Sequence, residues 1–451
     1  MATHKQILVI GGGPAGIEAA RAASGAGWRV TLVSDGPPGG HAAWQTLLPS
    51  KLWLGAANSR GMNSPKDSVQ SGVEFVAGLR TRYEKVVGAW QRQLMNELER
   101  AGVELRLGTA SFLSPHEVQI LPPEGGYPDP VSADKIILAT GAIPYMPPGF
   151  QPDGERVFSP HLIWRLEEVP RSMVVIGAGG PATEYVDAFS RLGVKITWIT
   201  GPVGVLSAFP PDAGRVITRV MERRGVRIVT GLMAHQLERT ESGVRVTTAD
   251  NVVHEAAVGF IAIGLRPDFE RLNLTAAGLR AGSSGGLAID AYGRTAVTHI
   301  YLAGDAASPL SANISIAQGR LAGLHAAGLA VEPLRLENAV MAIYTNPQIA
   351  VVGRMSDRSE HLQKVRIPFQ TCLRAHLLAD ADDAGLEFLE ISYDRQRKVT
   401  GALAVCPEAA EVLAPLAVAV HARLTVDVLG GILPAHPTFS ELAILAARIA
   451  K

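Results

Sequence analysis

The sequence has few cysteines, and this scarcity excludes several kinds of site. Only Cys372 and Cys406 occur among the 451 residues, and their spacing matches neither a metal-binding nor a dithiol motif. Neither resembles the partner in a structural disulfide, and no metal site is predicted. We expect both thiols to be ordinary buried side chains.

An excess of charge of either sign is also missing. Forty-two basic side chains balance 42 acidic ones, whereas nucleic-acid and anionic-membrane surfaces normally require a basic patch, so small or neutral partners are expected. No run approaches the roughly 18 uncharged apolar residues of a membrane span. The N-terminus "MATHKQILVIGGGPAG" lacks a signal-peptide pattern. We expect a cytoplasmic protein with no nucleic-acid partner and no integral membrane segment.

Glycine turns between apolar runs and Ala-rich stretches are plentiful. They recur in "QILVIGGGPAGIEAARAASGAG" and, later, in "SMVVIGAGGPATEYVDAFSRLG". This alternation is typical of parallel βαβ units, and its repetition predicts an α/β fold with two Rossmann-like dinucleotide-binding domains.

Changes in this pattern suggest the domain boundaries. The two dinucleotide-binding patterns are placed in 1–150 and 151–270, with "VFSPHLIWRLEEVPRS" as a linker because the glycine-rich pattern begins again after it. Beyond residue 335 the strands "LEFLEISYD" and "VTGALAV" precede a long Ala/Leu/Val helical stretch, which predicts an α+β domain over 336–451. Residues 271–335 lie between these parts.

Two glycine motifs carry the dinucleotide prediction. Gly11, Gly13 and Gly16 form G-x-G-x-x-G directly after the strand "ILVI". The first glycine permits the tight turn, the second admits the pyrophosphate, and the third lets helix and strand pack, while the helix N-terminus attracts the anion. Gly177 and Gly179 begin a second copy.

The acidic residue that usually binds a ribose after the second strand is missing from both copies. Ser34 and Thr200 stand at these positions, and Asp35 is a possible substitute in the first copy. The segment "TGPVGVL" offers neither an acid that favours NAD nor an arginine cluster that favours NADP. The choice between NADH and NADPH stays open.

In its ordered motifs the sequence resembles the pyridine nucleotide-disulfide oxidoreductase family, the group of lipoamide dehydrogenase, glutathione reductase and mercuric reductase. The motifs are "GGGPAG", "GG" followed by "PSK", "ATGAIP", "VVIGAGGPATE", "AIGLRPD", "YLAGDAA" and "AHPTFSE". The resemblance implies an FAD-binding domain over 1–150 and 271–335, an NAD(P)-binding domain over 151–270, and an interface domain over 336–451 that forms a homodimer. It implies FAD as cofactor and NAD(P)H as cosubstrate.

Two residue pairs follow from this resemblance. Lys51 and Glu184 match an ion pair beside flavin N5 and the nicotinamide, where a buried ammonium and carboxylate need each other to offset desolvation. His436 and Glu441 match a pair in which the carboxylate orients an imidazole that acts as acid or base across the dimer interface. All four are predicted to be catalytic.

Further cofactor contacts are implied by the remaining motifs. Asp305 in "AGD" would bind the ribityl or phosphate region of the flavin, and the helix entered through "NISIAQGR" would direct its N-terminus at the flavin. The other residues predicted to contact a cofactor are Gly40, Thr140, Gly141, Gly264 and Gly304.

The segment "GGHAAWQTLLPSK" departs from the family. Ala42 and Leu47 occupy the positions of its two redox-active cysteines, and neither side chain can form a thiolate or a mixed disulfide. His41 and Trp44 could line a pocket for a planar acceptor, although Trp44 could equally be core packing. Gly180 stands where the family often places an aromatic gate over the flavin.

Three hypotheses for function remain. The first is an FAD-dependent NAD(P)H dehydrogenase that reduces a non-disulfide, small-molecule acceptor such as a quinone directly. The second is transhydrogenation between the two nicotinamide nucleotides through FAD. The third is a flavoprotein without turnover that acts as a redox subunit or sensor in a larger complex; the missing gate and ribose acids favour it, whereas the retained catalytic pairs oppose it.

Overall fold

The structure is a computed structural model that describes residues 5–63, 72–307, 311–356, 362–377 and 385–450. The chain divides into two compact units. The first contains Met1–Pro49, Ala77–Met146 and Gly264–Leu334, and the second contains Ser50–Val76, Pro147–Ile263 and Arg335–Lys451. This division does not test the four predicted domain ranges, which stay predictions.

The described residues form 23 strands. They are β1 (Gln6–Ile10), β2 (Arg29–Ser34), β3 (Glu104–Leu107), β4 (Thr109–Ser114), β5 (Glu117–Leu121), β6 (Asp129–Ser132), β7 (Lys135–Leu138), β8 (Ala142–Pro144), β9 (Val157–Phe158), β10 (Ser172–Ile176), β11 (Lys195–Gly201), β12 (Arg227–Thr230), β13 (Ala234–Thr240), β14 (Gly243–Thr248), β15 (Val253–Ala256), β16 (Val258–Ile261), β17 (Leu265–Pro267), β18 (Ile300–Leu302), β19 (Met341–Ile343), β20 (Gln348–Gly353), β21 (Gln363–Pro368), β22 (Phe388–Tyr393) and β23 (Val399–Cys406).

Nine α-helices occur in the same described residues. They are α1 (Pro14–Gly25), α2 (Leu48–Asn63), α3 (Gly72–Arg100), α4 (Gly180–Arg191), α5 (Pro211–Arg223), α6 (Ala312–Ala326), α7 (Ala409–Ala422), α8 (Val426–Gly430) and α9 (Glu441–Ile449). A π-helical turn spans Ala42–Leu47, and short 3-10 turns span Ile163–Arg165, Gly304–Ala306, Leu336–Asn338, Phe369–Thr371 and Leu373–Leu377.

A parallel sheet organises the first unit. Its strand order is β18-β7-β1-β2-β3, and an antiparallel meander β4-β5-β6 connects β3 to β7. Because successive side chains of a strand point to opposite faces, Ile7 and Val9 join the core cluster that contains alanines of α1 and α6. Leu8 and Ile10 join the opposite cluster, which contains meander residues. The continuous apolar run of β1 is thus buried on both faces.

Helices α1 and α6 pack closely because of glycine. A Cβ at Gly319 would collide with the carbonyl oxygen of Ala15, and one at Gly323 would collide with that of Ala19. The backbone of α6 therefore lies directly against α1, the helix that begins at the first glycine motif.

The second unit repeats the arrangement with the sheet β12-β11-β10-β16-β9 and the meander β13-β14-β15. The linker prediction for "VFSPHLIWRLEEVPRS" is wrong at its start, because β9 pairs in parallel with β16. Phe158 and Ile163 are buried. Two apolar residues are enough for an edge strand, whereas a two-residue strand is too short to show a periodicity in the sequence.

The C-terminal part of the second unit is the predicted α+β structure. Its antiparallel sheet has the order β19-β20-β23-β22-β21. The apolar faces of α7 and α9 cover this sheet, with Leu413, Leu416 and Leu442 fully buried in one core cluster. The predicted α/β fold class with two dinucleotide-type sheets and a C-terminal α+β part is confirmed.

Candidate active site

The first glycine motif forms a cradle in the first unit. Gly11 has a φ of +116°, and a Cβ there would collide with the carbonyl oxygen of Ala139; one at Gly16 would collide with that of Gly11. Gly13 is the N-cap of α1 and has open space around it. No described side chain caps this helix, so its first N–H groups suit a phosphate.

Gly40 completes the cradle from the following loop. Its φ is +60°, and a Cβ there would lie 2.8 Å from the Cα of Gly13. The neighbouring Gly39 N–H donates to the carbonyl oxygen of Gly12 at 2.8 Å. The start of "GGHAAWQTLLPSK" therefore contacts the dinucleotide loop directly.

At the end of β2, Ser34 and Asp35 have different partners. The Ser34 hydroxyl is buried and donates to the Gly36 carbonyl oxygen at 2.8 Å. The Asp35 carboxylate is half exposed and pairs with Arg271 at 2.6 Å. Of the two residues, Asp35 presents the more accessible oxygen. Arg271 was not identified from the sequence, since 236 residues separate it from Asp35.

Thr140, Gly141 and Gly264 lie where β8 pairs with β17. The Thr140 hydroxyl donates to the Asp268 carbonyl oxygen at 2.9 Å. Gly141 and Gly264 have φ values of +74° and +140°, a region that favours glycine. The local backbone therefore also accounts for the presence of these residues. Their contacts with a cofactor stay a prediction.

Gly304 and Asp305 lie in a 3-10 turn against α6. The Gly304 N–H donates to Gln318 Oε1, and the Ser315 hydroxyl donates to Asp305 Oδ1, both at 3.0 Å. Burial raises the pKa of Asp305, and the Ser315 hydrogen bond offsets part of that effect. Ser315 and Gln318 were not identified singly, although "NISIAQGR" contains both.

Ala42 and Leu47, which the family resemblance places at the positions of two redox-active cysteines, are the first and last residues of a π-helical turn. π-Helical turns are rare and are frequently found at functional sites. The indole of Trp44 packs on Gly39 and donates to the Pro37 carbonyl oxygen at 3.0 Å. The Trp44 carbonyl oxygen accepts from the Tyr83 hydroxyl, a contact the sequence did not suggest. Leu47 and His41, which directly precedes the turn, are exposed.

The second glycine motif has the same local design in the second unit. Gly177 has a φ of +119°, and a Cβ there would collide with the carbonyl oxygen of Ala262. Gly179 is the N-cap of α4 and has open space; no described side chain caps α4 either. The Thr200 hydroxyl is buried and donates to the Val229 carbonyl oxygen at 3.3 Å.

Lys51 and Glu184, predicted to pair, do so within the second unit. Lys51 Nζ lies 2.8 Å from each carboxylate oxygen of Glu184. The Glu184 side chain is 7% exposed and that of Lys51 is 32% exposed. Glu184 lies on the first turns of α4, just after the second glycine motif, so the pair is next to the predicted nicotinamide-nucleotide loop.

Tyr344 is a third member of this group that the sequence did not reveal. Its backbone N–H donates to Glu184 Oε1 at 3.0 Å, and Lys51 Nζ lies 4.5 Å from the centroid of its ring. At Gly180 a Cβ would lie 2.7 Å from Ile343 Cδ1, so Ile343 occupies part of the space that a side chain at position 180 would need. No local sequence pattern signals these contacts, because they join β19 to α4.

His436 and Glu441 also form the predicted pair. His436 Nδ1 lies 2.8 Å from Glu441 Oε2, and the two side chains are 62% and 7% exposed. Glu441 is the first residue of α9, where the helix dipole favours a carboxylate. The buried carboxylate fixes an imidazole whose remaining surface is accessible.

The two thiols are in the C-terminal core. Cys372 and Cys406 are free, and they are 1% and 0% exposed. Burial raises the pKa of both, so neither supplies a thiolate near neutral pH. The prediction that both are buried is confirmed.

Among the residues that the structure describes, no helix is both long and apolar enough to cross a membrane. In comparisons with known proteins, residues 5–327 match the model of the family described as pyridine nucleotide-disulphide oxidoreductase. Residues 339–447 match the dimerisation domain of the same family.

Individual relatives agree with this assignment. The chain is 30% identical over 464 residues to a protein of Mycobacterium tuberculosis named NAD(P)H dehydrogenase (quinone), covering 98% of this chain and 93% of that one. It is also 30% identical over 462 residues to dihydrolipoyl dehydrogenase 2 of Haloarcula marismortui, with 100% and 97% covered. The crystal structure of LpdA from Mycobacterium tuberculosis superposes with a TM-score of 0.90 at 30% identity, covering 98% of this chain and 99% of that one.

Members of this family are FAD-dependent oxidoreductases that use NAD(P)H as the nicotinamide substrate. Two family models that together extend over most of the sequence, and relatives that match along nearly its whole length, lead to one conclusion. The chain belongs to the pyridine nucleotide-disulphide oxidoreductase family.

Proposed function

We propose that this protein is an FAD-dependent NAD(P)H oxidoreductase that passes electrons directly to a small, non-disulfide acceptor, with a quinone as the preferred class. The observation that carries the proposal is the intact Lys51–Glu184 ion pair in a chain whose only two thiols are buried. Hydride-transfer residues are retained, whereas Ala42 and Leu47 cannot form the thiolates that disulfide exchange requires.

The first unit suits FAD. Gly11, Gly16 and Gly40 allow the tight packing of the loop, because a Cβ at each would meet backbone atoms, and Gly13 leaves open space for a pyrophosphate. Asp35, rather than Ser34, is the candidate for the adenosine ribose. FAD, when bound, accepts a hydride from the nicotinamide and transfers the two electrons to the acceptor. Thr140, Gly141, Gly264, Gly304 and Asp305 stay proposed contacts.

The second unit suits NAD(P)H. Gly177 and Gly179 provide the loop and the helix N-terminus for its pyrophosphate. Glu184 and Lys51 are proposed to position the nicotinamide, with the ammonium stabilising negative charge as the flavin is reduced. Thr200 carries no charge that would favour one nucleotide, so the choice between NADH and NADPH stays open.

The acceptor is proposed to approach the π-helical turn Ala42–Leu47. Ala42 and Leu47 stand where the resemblance places thiols, and Leu47 offers an exposed apolar surface. The quinone in the name of the 30% identical relative supports this class. Of His41 and Trp44, the two residues predicted to line an acceptor pocket, Trp44 is held by the glycine loop. His41 is exposed and is therefore the candidate to contact the acceptor.

His436 is proposed to donate protons to the reduced acceptor. A quinone takes up two electrons and two protons, and an imidazole oriented by a buried carboxylate exchanges protons near neutral pH. The matched dimerisation domain supports a homodimer. The cytoplasmic location stays a prediction.

Anaerobic stopped-flow spectroscopy tests the proposal. NADH or NADPH should bleach the flavin absorbance, and a subsequent addition of a soluble benzoquinone should restore it, whereas oxidised lipoamide should not. Wild-type flavin that neither nucleotide bleaches would contradict the proposal and favour a sensor or subunit. Reoxidation only by a nicotinamide analogue would favour transhydrogenation.

A control variant distinguishes the acceptor site from general damage. His41→Ala should slow reoxidation by quinone without changing reduction by NADH, while His235→Ala, a substitution of another exposed histidine, should change neither. Equal quinone rates in His41→Ala and wild type would remove His41 from the acceptor site and leave the rest of the proposal standing.

A further inference from the structure

Tyr344 contacts both members of the Lys51–Glu184 pair through different parts of the residue. Its backbone N–H donates to Glu184 Oε1 at 3.0 Å. Its ring lies beneath the Lys51 ammonium, with 4.5 Å between Nζ and the ring centroid. The carboxylate is thus held by the main chain of Tyr344 and the ammonium by its side chain.

The segment that carries Tyr344 is fixed to α4 at a second point. Asp187, fully buried one helical turn after Glu184, accepts the Asn346 N–H at 3.1 Å. Arg224 joins the same two residues, because it donates to Asp187 Oδ1 at 2.6 Å and to the Asn346 carbonyl oxygen at 2.7 Å. Two carboxylates of α4 therefore hold alternate amides of this segment, so a change of the Tyr344 side chain leaves its backbone in place.

The other contacts of Lys51 are not sufficient by themselves to fix the direction of its ammonium. Lys51 Nζ is bonded to Glu184 on one side and to Ser50 Oγ at 3.2 Å, and its side chain is one-third exposed. A lysine has four rotatable bonds and a strongly hydrated head group. An aromatic face at this distance attracts the ammonium and restricts it.

We propose that Tyr344 is a positioning residue, whose aromatic face holds the Lys51 ammonium at the redox site and thereby sets how readily the bound flavin is reduced. This inference rests on the proposed function, which places Lys51 beside the flavin. The part that acts is the ring, not the phenolic hydroxyl. The ring of Tyr344 affects flavin reduction only through its effect on Lys51.

The test compares side-chain variants that all retain the backbone N–H. Tyr344→Leu removes the ring face, Tyr344→Phe keeps it, and both are made in the wild-type and Lys51→Met backgrounds of the FAD-loaded protein. The first readout is the midpoint potential of the bound FAD, measured by equilibrium with a redox dye. The second is the rate of flavin reduction by NADH.

Tyr344→Leu should shift the midpoint potential to more negative values and slow flavin reduction by about threefold to tenfold, the range expected for a half-exposed cation–π contact. Tyr344→Phe should behave as wild type. In the Lys51→Met background, Tyr344→Leu should cause no further change, because the ammonium that it positions is gone.

Three results would overturn the inference: an unchanged potential in Tyr344→Leu, a shift of equal size in Tyr344→Phe, or a shift that persists without Lys51. If Tyr344→Leu does not retain FAD, Tyr344→Met tests the same loss of the ring with a side chain of closer volume. A failure of the proposed function is distinguishable, since Lys51→Met would then itself leave the potential unchanged.

Discussion

The Lys51–Glu184 pair makes a quantitative prediction about stability, because its two members differ in burial. Lys51→Met leaves the Glu184 carboxylate, 7% exposed, with the Tyr344 N–H as a donor but without the ammonium. Breaking a buried pair in this way costs about 3–5 kcal/mol. Lys51 is 32% exposed, so water reaches the site and the expected cost falls to about 2–3 kcal/mol.

Glu184→Gln should cost less, about 1–2 kcal/mol. The amide oxygen still accepts the Tyr344 N–H, and the ammonium that is left behind can turn toward water. When both changes are combined, neither charge is stranded. The double variant should therefore be more stable than the sum of the single effects by about 1–2 kcal/mol.

Equilibrium urea unfolding measures these free energies, at fixed concentrations of protein and FAD because ligand binding shifts apparent stability. Arg245 and Glu255 form a matched control pair on β14 and β15, with side chains 44% and 64% exposed. Their coupling should stay below about 0.5 kcal/mol. Additive effects at Lys51 and Glu184, or equal costs for the two single variants, would refute the assignment of the pair as a partly buried, mutually dependent unit.

Three further predictions concern other parts of the chain. Gly323→Ala should lower the free energy of unfolding by about 1–3 kcal/mol through its collision with Ala19, whereas Gly55→Ala, in open space on α2, should raise it slightly. Burial raises the folded-state pKa of Asp305 above its usual 3.8; the FAD-free protein should therefore lose stability as pH rises from about 4 through that raised pKa, and Asp305→Asn should remove this loss in urea unfolding. Thr200→Val should cost about 1 kcal/mol yet leave the KM values for NADH and NADPH unchanged in steady-state assays.

Much of the fold follows from local pattern. The strand β1 and helix α1 are evident because an apolar run, a glycine turn and an Ala-rich helix succeed each other, and the same signal identifies β10 and α4. The π-helical turn is not predictable in this way, because no pattern of residue types indicates its hydrogen-bond register. The edge strand β9 was missed for a related reason: two residues show no period.

The site depends on contacts between residues far apart in the chain. Lys51 and Glu184 are separated by 133 positions, and only the family resemblance brought them together before the structure did. Residues outside the family motifs were not identified from the sequence. Arg271, Tyr83 and Tyr344 belong to this group, and each contacts a predicted site residue from a distant element. Their residue types are common on any protein surface, so nothing local distinguished them.

In the proposed function Ala42 and Leu47 replace the family's two thiols, and this replacement affects more than the identity of the acceptor. The acceptor would receive two electrons directly from bound FAD, with no dithiol between them. A quinone that receives them must also gain two protons. In the proposed function the buried carboxylate of Glu441, which is 7% exposed, would keep the imidazole of His436 aligned for this proton transfer. An enzyme that kept the hydride-transfer pair but reduced another nicotinamide would need no such proton source, so quinone reduction that falls in His436→Gln while NADH-dependent bleaching is unchanged would separate the two chemistries.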